Sequence, residues 1–194
     1  YILRNMAYLK RNERTKSIVV LLGPSGSGKT TFGQTYSSTR GSTFFSTGDK
    51  LREENYISPW HEPNIANIKE YCHELIAKTF LDFQASESDM LILDCVKDLE
   101  DAELVTALAE KHGLSITRAL LFDVNDKQLG LQWQQRARCT DMLRMIHGSV
   151  NEYLYRWKTR SNDVINYYTN LQALSKLPGP SFTQLLQDFL TCSP

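Results

Sequence analysis

No apolar run in the 194-residue chain approaches the roughly 18 residues that a membrane-spanning helix needs. There is no Asn-x-Ser/Thr sequon and no Cys-x-x-Cys pair. The four cysteines, Cys72, Cys95, Cys139 and Cys192, stand far apart and read as free thiols of a reducing compartment rather than as a disulfide or zinc framework. An excess of charge is missing as well, since 22 lysines and arginines balance 22 aspartates and glutamates. No global field therefore draws the chain to nucleic acid or to an anionic membrane surface, and any phosphate binding has to be local. The histidines, His61, His73, His112 and His147, show no metal-ligand spacing and are assigned to structure or solvent. These absences predict a soluble, intracellular, cytoplasmic chain with neither nucleic acid nor a membrane span among its partners. A hydrophobic content of 41% over this length buries one sizeable core and would be short for two.

The most specific feature present is Leu21-Leu22-Gly23-Pro24-Ser25-Gly26-Ser27-Gly28-Lys29-Thr30-Thr31, directly after the apolar run Ser17–Leu22. The glycines of such a loop let the backbone curl into a concave nest of N–H donors. Gly23, Ser25, Gly26, Ser27, Gly28, Lys29, Thr30 and Thr31 are the expected cradle for the phosphates of ATP, with Lys29 reaching the β- and γ-phosphates and Thr30 a ligand of Mg²⁺. A helix starting near Thr31 adds the positive end of its dipole. Met90–Leu93 is a second apolar run that ends in Asp94, a carboxylate suited to holding the water shell of that Mg²⁺.

Along the rest of the chain, strand and helix patterns alternate. A helix over Thr31–Ser38 precedes a short β-branched and aromatic run, Thr43–Ser46, and a helical stripe of apolar residues runs from Ile65 to Phe83. Leu99–His112 reads as a helix closed by Gly113, Ile116–Phe122 as a buried strand ending in Asp123, Leu174–Leu177 as a fifth strand and Phe182–Leu190 as a last helix. Trp133 and Trp157 fall on helical segments and are expected in packing. The predicted architecture is an α/β doubly wound, five-stranded parallel sheet of the P-loop NTPase type, with ligands at the carboxyl ends of its strands. Ahead of it, residues 1–16 carry Arg4, Lys10, Arg11, Arg14 and Lys16 among Ile2, Leu3, Met6 and Leu9. They read either as a basic amphipathic helix suited to a protein partner or membrane interface, or as a helix packed on its own domain or leading from an upstream region.

Ser46-Thr47-Gly48-Asp49-Lys50-Leu51-Arg52, taken with the loop, resembles the adenylate kinase family of nucleoside monophosphate kinases. The resemblance continues in order through Leu93-Asp94, Leu99–Glu103, Phe122–Asp126, Arg136 and Val164–Tyr168, so that residues 17–194 read as one adenylate kinase-like domain. It implies phosphoryl transfer from ATP to a nucleoside monophosphate. Thr47 would then hydrogen-bond the acceptor base, and the residue type there favours AMP. Arg52 would clamp the monophosphate with its planar fork, and Arg136, with Arg138 in the short lid Ala137–Asp141, would stabilise charge on the ATP phosphates. The acceptor-binding arm around Trp60 and His61–Pro63 is small.

Several positions depart from the family pattern. Asp94-Cys95-Val96-Lys97 stands where the family has Asp-Gly-Phe-Pro-Arg, one residue shorter and with Lys97 as the only basic stand-in. Gln132 replaces an arginine expected over the ATP adenine, and the helix arginine that completes the phosphate cage aligns near Asn151 or Tyr153, with Arg144, Arg156 and Arg160 as nearby substitutes. Two functions follow: an ATP:AMP phosphotransferase, or a catalytically weakened adenylate kinase-like module that binds nucleotide or serves as a structural part of a larger assembly.

Overall fold

The run SIVVLL forms β1 (Ser17–Leu22), buried from Ile18 onward on both of its faces. A strand without polar alternation suits the middle of a parallel sheet that is covered on both sides. The computed structural model describes residues 16–54, 67–136 and 150–178. After β1 come α1 (Lys29–Arg40), β2 (Thr43–Ser46), α2 (Thr47–Glu53), α3 (Ile68–Ala85), β3 (Met90–Asp94), α4 (Leu99–Lys111), β4 (Ser115–Asp123), α5 (Asp126–Arg136), α6 (Val150–Asn170) and β5 (Leu174–Pro178). The five strands lie in the order β2-β3-β1-β4-β5, and every pairing is parallel.

Successive residues of β1 serve different cores. Ile18, Val20 and Leu22 pack with Ile76, Phe80 and Phe83 of α3, Val105 and Ala109 of α4, and Val164 and Tyr168 of α6. Val19 and Leu21 pack on the opposite face with Phe32 and Tyr36 of α1 and Phe122 of β4. Helices on both faces of a parallel sheet make the doubly wound α/β class expected from the sequence. A third, smaller cluster joins α5 to α6 through Leu129, Trp133 and Leu154, with Val124 ahead of α5. Among the described residues, no helix is long and apolar enough to cross a membrane.

The element ends differ from the sequence reading by a few residues. α1 starts at Lys29 rather than Thr31, because Gly28 already serves as its N-cap, and α4 ends one residue early with His112 as its cap. α3 starts at Ile68, so Ile65, at the head of the predicted stripe, lies outside the described residues. So do residues 1–15 of the extension, Trp60, His61–Pro63, the lid with Arg138, Cys139 and Asp141, Arg144, His147, the last helix and Cys192. Lys16, at the end of the basic extension, is bound to the domain. Its ammonium donates to the carbonyls of Phe83 (2.6 Å), Ser86 (2.7 Å) and Gln84 (3.0 Å) at the end of α3, where the helix dipole favours a cation.

α1 crosses β2 at Gly33, and a methyl group there would overlap the ring of Phe44. Gly33→Ala is expected to lower stability by about 1–3 kcal/mol despite alanine's higher helix propensity, because overpacking against an aromatic ring outweighs that gain. Denaturant unfolding would check it, and a Phe44→Leu background should recover part of the loss.

Burial pushes the Cys95 thiol well above its usual range, with the carboxylates of Asp101 and Asp94 adding to the effect, and burial likewise raises Cys72. Both are free and buried. At neutral pH neither should alkylate in the folded protein while both react fully in denaturant, which site-resolved mass spectrometry with iodoacetamide would read.

Candidate functional site

The carboxyl ends of β1 and β3 lie side by side, with Val20 paired to Leu93. The loop after β1 and the carboxylate that ends β3 are therefore neighbours. Gly26 and Gly28 hold φ values of 91° and 94°, a region in which glycine alone is unstrained. Gly28 gives α1 no side-chain cap, and the first turn of α1 holds no acidic residue. That end of the helix keeps its dipole unneutralised, the arrangement that accepts an anion.

Lys29 Nζ donates to the carbonyls of Gly23 (2.8 Å) and Pro24 (3.0 Å) and stands 3.8 Å from Asp94 Oδ1. Thr30 Oγ1 donates to Asp94 Oδ2 at 2.9 Å. The residues expected to handle a magnesium triphosphate are thus gathered at one point. Among the described residues, no group of three or more His, Cys, Asp or Glu could hold a metal. A hydroxyl and one carboxylate suit a hard cation that keeps water and phosphate oxygens as its remaining ligands, as magnesium does. These residues fit the group.

Ser25 and Ser27 have partners within the protein. The Ser25 N–H donates to the Tyr153 hydroxyl at 2.9 Å, and the Ser25 carbonyl accepts from Trp133 Nε1 at 2.8 Å. The Ser27 N–H closes a turn onto the Pro24 carbonyl at 3.1 Å. These two amides are bonded within the protein, so an anion at the loop has Gly26, Gly28 and the start of α1 to draw on.

Ser46 is paired with Asp94 across β2 and β3, which brings the start of α2 next to the loop. The Ser46 hydroxyl caps α2 by accepting from the Asp49 N–H at 3.2 Å, a capping serine in the expected place. Thr47 is buried, and its hydroxyl has no hydrogen-bond partner among the described residues. The Arg52 guanidinium is exposed and ion-paired with Asp49, which also receives Gln34 Nε2 at 3.3 Å.

Lys97 follows β3 with its side chain exposed and in no ion pair with a described residue. Its N–H donates to Asp101 Oδ2 at 2.9 Å, while Asp101 Oδ1 lies 3.0 Å from His73 Nε2. Asp98 in turn caps the Asp101 N–H at 3.1 Å and meets Lys69 at 3.0 Å. Asp101 entered the sequence reading only as part of a motif. The Asp98-x-x-Asp101 spacing at a helix start is the signal that could have given it this role. Arg136 is the last residue of α5. Gln132 is half-buried, and its amide oxygen is buried without a partner among the described residues.

No family model matches the chain. Over 170 aligned residues it is 29% identical to an adenylate kinase of Prochlorococcus marinus (strain MIT 9211), a likeness covering 84% of this chain and 89% of that protein. It extends well beyond the loop, which alone would be common to many nucleotide-binding proteins. The chain is thus similar, at a distance, to an adenylate kinase over most of its length.

Proposed function

We propose that the protein transfers the γ-phosphoryl group of Mg-ATP to a nucleoside monophosphate, with AMP the preferred acceptor. The observation that carries this reading is the meeting of Lys29, Thr30 and Asp94 beside the Ser46 cap of α2. An oxygen of the acceptor phosphate attacks the γ-phosphorus, the bond to the β–γ bridging oxygen breaks, and two diphosphates result with no covalent bond to the protein. Such a reaction asks the protein for positioning and charge neutralisation.

Lys29 would exchange the Gly23 and Pro24 carbonyls for phosphate oxygens, and Thr30 and Asp94 are the residues that would hold the metal. Magnesium, when bound, neutralises charge on the β and γ oxygens. Thr47 is assigned to the acceptor base and Arg52 to its phosphate, with Asp49 released in exchange. Lys97, Arg136 and Arg138 supply further positive charge. The second reading, a nucleotide-binding module with little turnover, is favoured by one observation: the basic residue after β3 is an exposed lysine, which lacks an arginine's bidentate fork.

Incubation of the purified protein with Mg-ATP and each monophosphate in turn should give diphosphate fastest with AMP. Saturable Mg-ATP binding without diphosphate from any acceptor would move the conclusion to the second reading. Lys29→Ala should weaken Mg-ATP binding by the energy of a charge-assisted contact, about 1.5–3 kcal/mol. Unchanged affinity in calorimetry would remove Lys29 from the site. Arg52→Lys should raise the KM for AMP far more than that for ATP, since lysine keeps the charge and loses the fork. Equal effects on the two substrates would take the acceptor phosphate away from Arg52.

A further inference from the structure

Ser25 is held by side chains from two distant helices, one on each of its backbone polar groups. Trp133 of α5 donates its indole N–H to the Ser25 carbonyl, and Tyr153 in the first turn of α6 accepts the Ser25 N–H. The two rings meet edge to face, 4.9 Å between centroids. Trp133 is fully buried, and the edge of its indole lies so close to Gly26 that a Cβ on that residue would overlap Nε1 and Cδ1. Gly26 therefore answers two constraints at once, its positive φ and the wedge beside it.

A loop with glycines at positions 23, 26 and 28 has many conformers when nothing restrains it. Each conformer that cannot cradle phosphate lowers the apparent affinity in proportion to its population. Fixing the loop before the ligand arrives removes that loss. We infer that Trp133 and Tyr153 are positioning residues of the nucleotide site, clamping the crown of the phosphate loop in the curvature that a triphosphate requires. The inference rests on the ATP-binding reading above. It also gives a different role to the position where a phosphate-cage arginine aligns, since Tyr153 acts on the loop backbone.

The test uses the full chain as wild type, Tyr153→Phe, Trp133→Phe and, as a control on the same helix, Tyr155→Phe, whose side chain is 73% exposed. Tyr153→Phe removes one oxygen and keeps the ring contact, so it remains informative should Trp133→Phe fold poorly. Amide hydrogen exchange in peptides covering residues 23–30 should quicken about tenfold in Tyr153→Phe, with the sheet unaffected and Tyr155→Phe matching wild type. If the populated fraction of ready loop falls to about a tenth, the Kd for Mg-ATP rises about tenfold while that for AMP stays within about twofold. Unchanged loop exchange overturns the clamp. Faster exchange with an unchanged Mg-ATP Kd, or uniformly faster exchange through the domain, reduces both residues to a structural role and overturns the inference. A wild type that binds no Mg-ATP overturns the ATP reading instead, and the exchange comparison still decides whether the clamp exists.

Discussion

The end of β3 carries a carboxylate, Asp94, that is largely enclosed, with the Thr30 hydroxyl on one oxygen and the Lys29 ammonium near the other. An unpaired carboxylate at that depth would carry a heavy desolvation cost, which a cation and a hydroxyl offset. The arrangement demands that β1 and β3 be adjacent and in register, and the apolar runs on both strands secure that from the two sides of the sheet. On the proposed reading, a metal-bound triphosphate would meet charges already gathered, and loading would be an exchange of partners within that group.

The two halves of the site are built differently. On the donor side, backbone groups are immobilised by buried side chains: Trp133 and Tyr153 on Ser25, and the glycine turns around them. On the side proposed for the acceptor, Arg52 and Lys97 have exposed side chains. Asp101 accepts the Lys97 N–H, and the lysine side chain is exposed. Ordering long charged side chains costs entropy when a ligand arrives. On the proposed reading, the triphosphate would meet a backbone held by buried side chains, and the acceptor phosphate would meet exposed cations.

Much of the fold was legible because its signals are local. β1 and β3 are unbroken apolar runs, α4 has Gly113 past its end, and the loop motif sits on contiguous residues. Element ends shifted where a cap residue outranked the apolar pattern, as Gly28 does for α1. The site was legible where function rests on side chains at fixed spacing, so Lys29, Thr30 and Asp94 were readable as a group. The contacts of Ser25 were not, because its partners are remote in sequence and the hydrogen-bonding atoms on Ser25 belong to the main chain, which carries no residue-specific mark. Thr47 shows the converse limit: residue type suggested a ligand contact, while only packing reveals that its hydroxyl is buried without a partner among the described residues. Trp133 illustrates a third case, in which a core residue also contacts the site through its one polar atom.

The strand order has a bearing on how the protein is made. Ser17 pairs with Met90 on one side and with Ser115 on the other, so the middle of the sheet leaves the ribosome long before either flank. β1 therefore has no partner during that interval, and its apolar residues have nothing to pack on except local helix. Non-local pairing of this kind is slow because loop closure has to precede the contacts that reward it. Until then, the apolar strand that anchors the phosphate loop has no strand to pair with. The first strand partner, β3, and with it Asp94, becomes available only about 70 residues after β1.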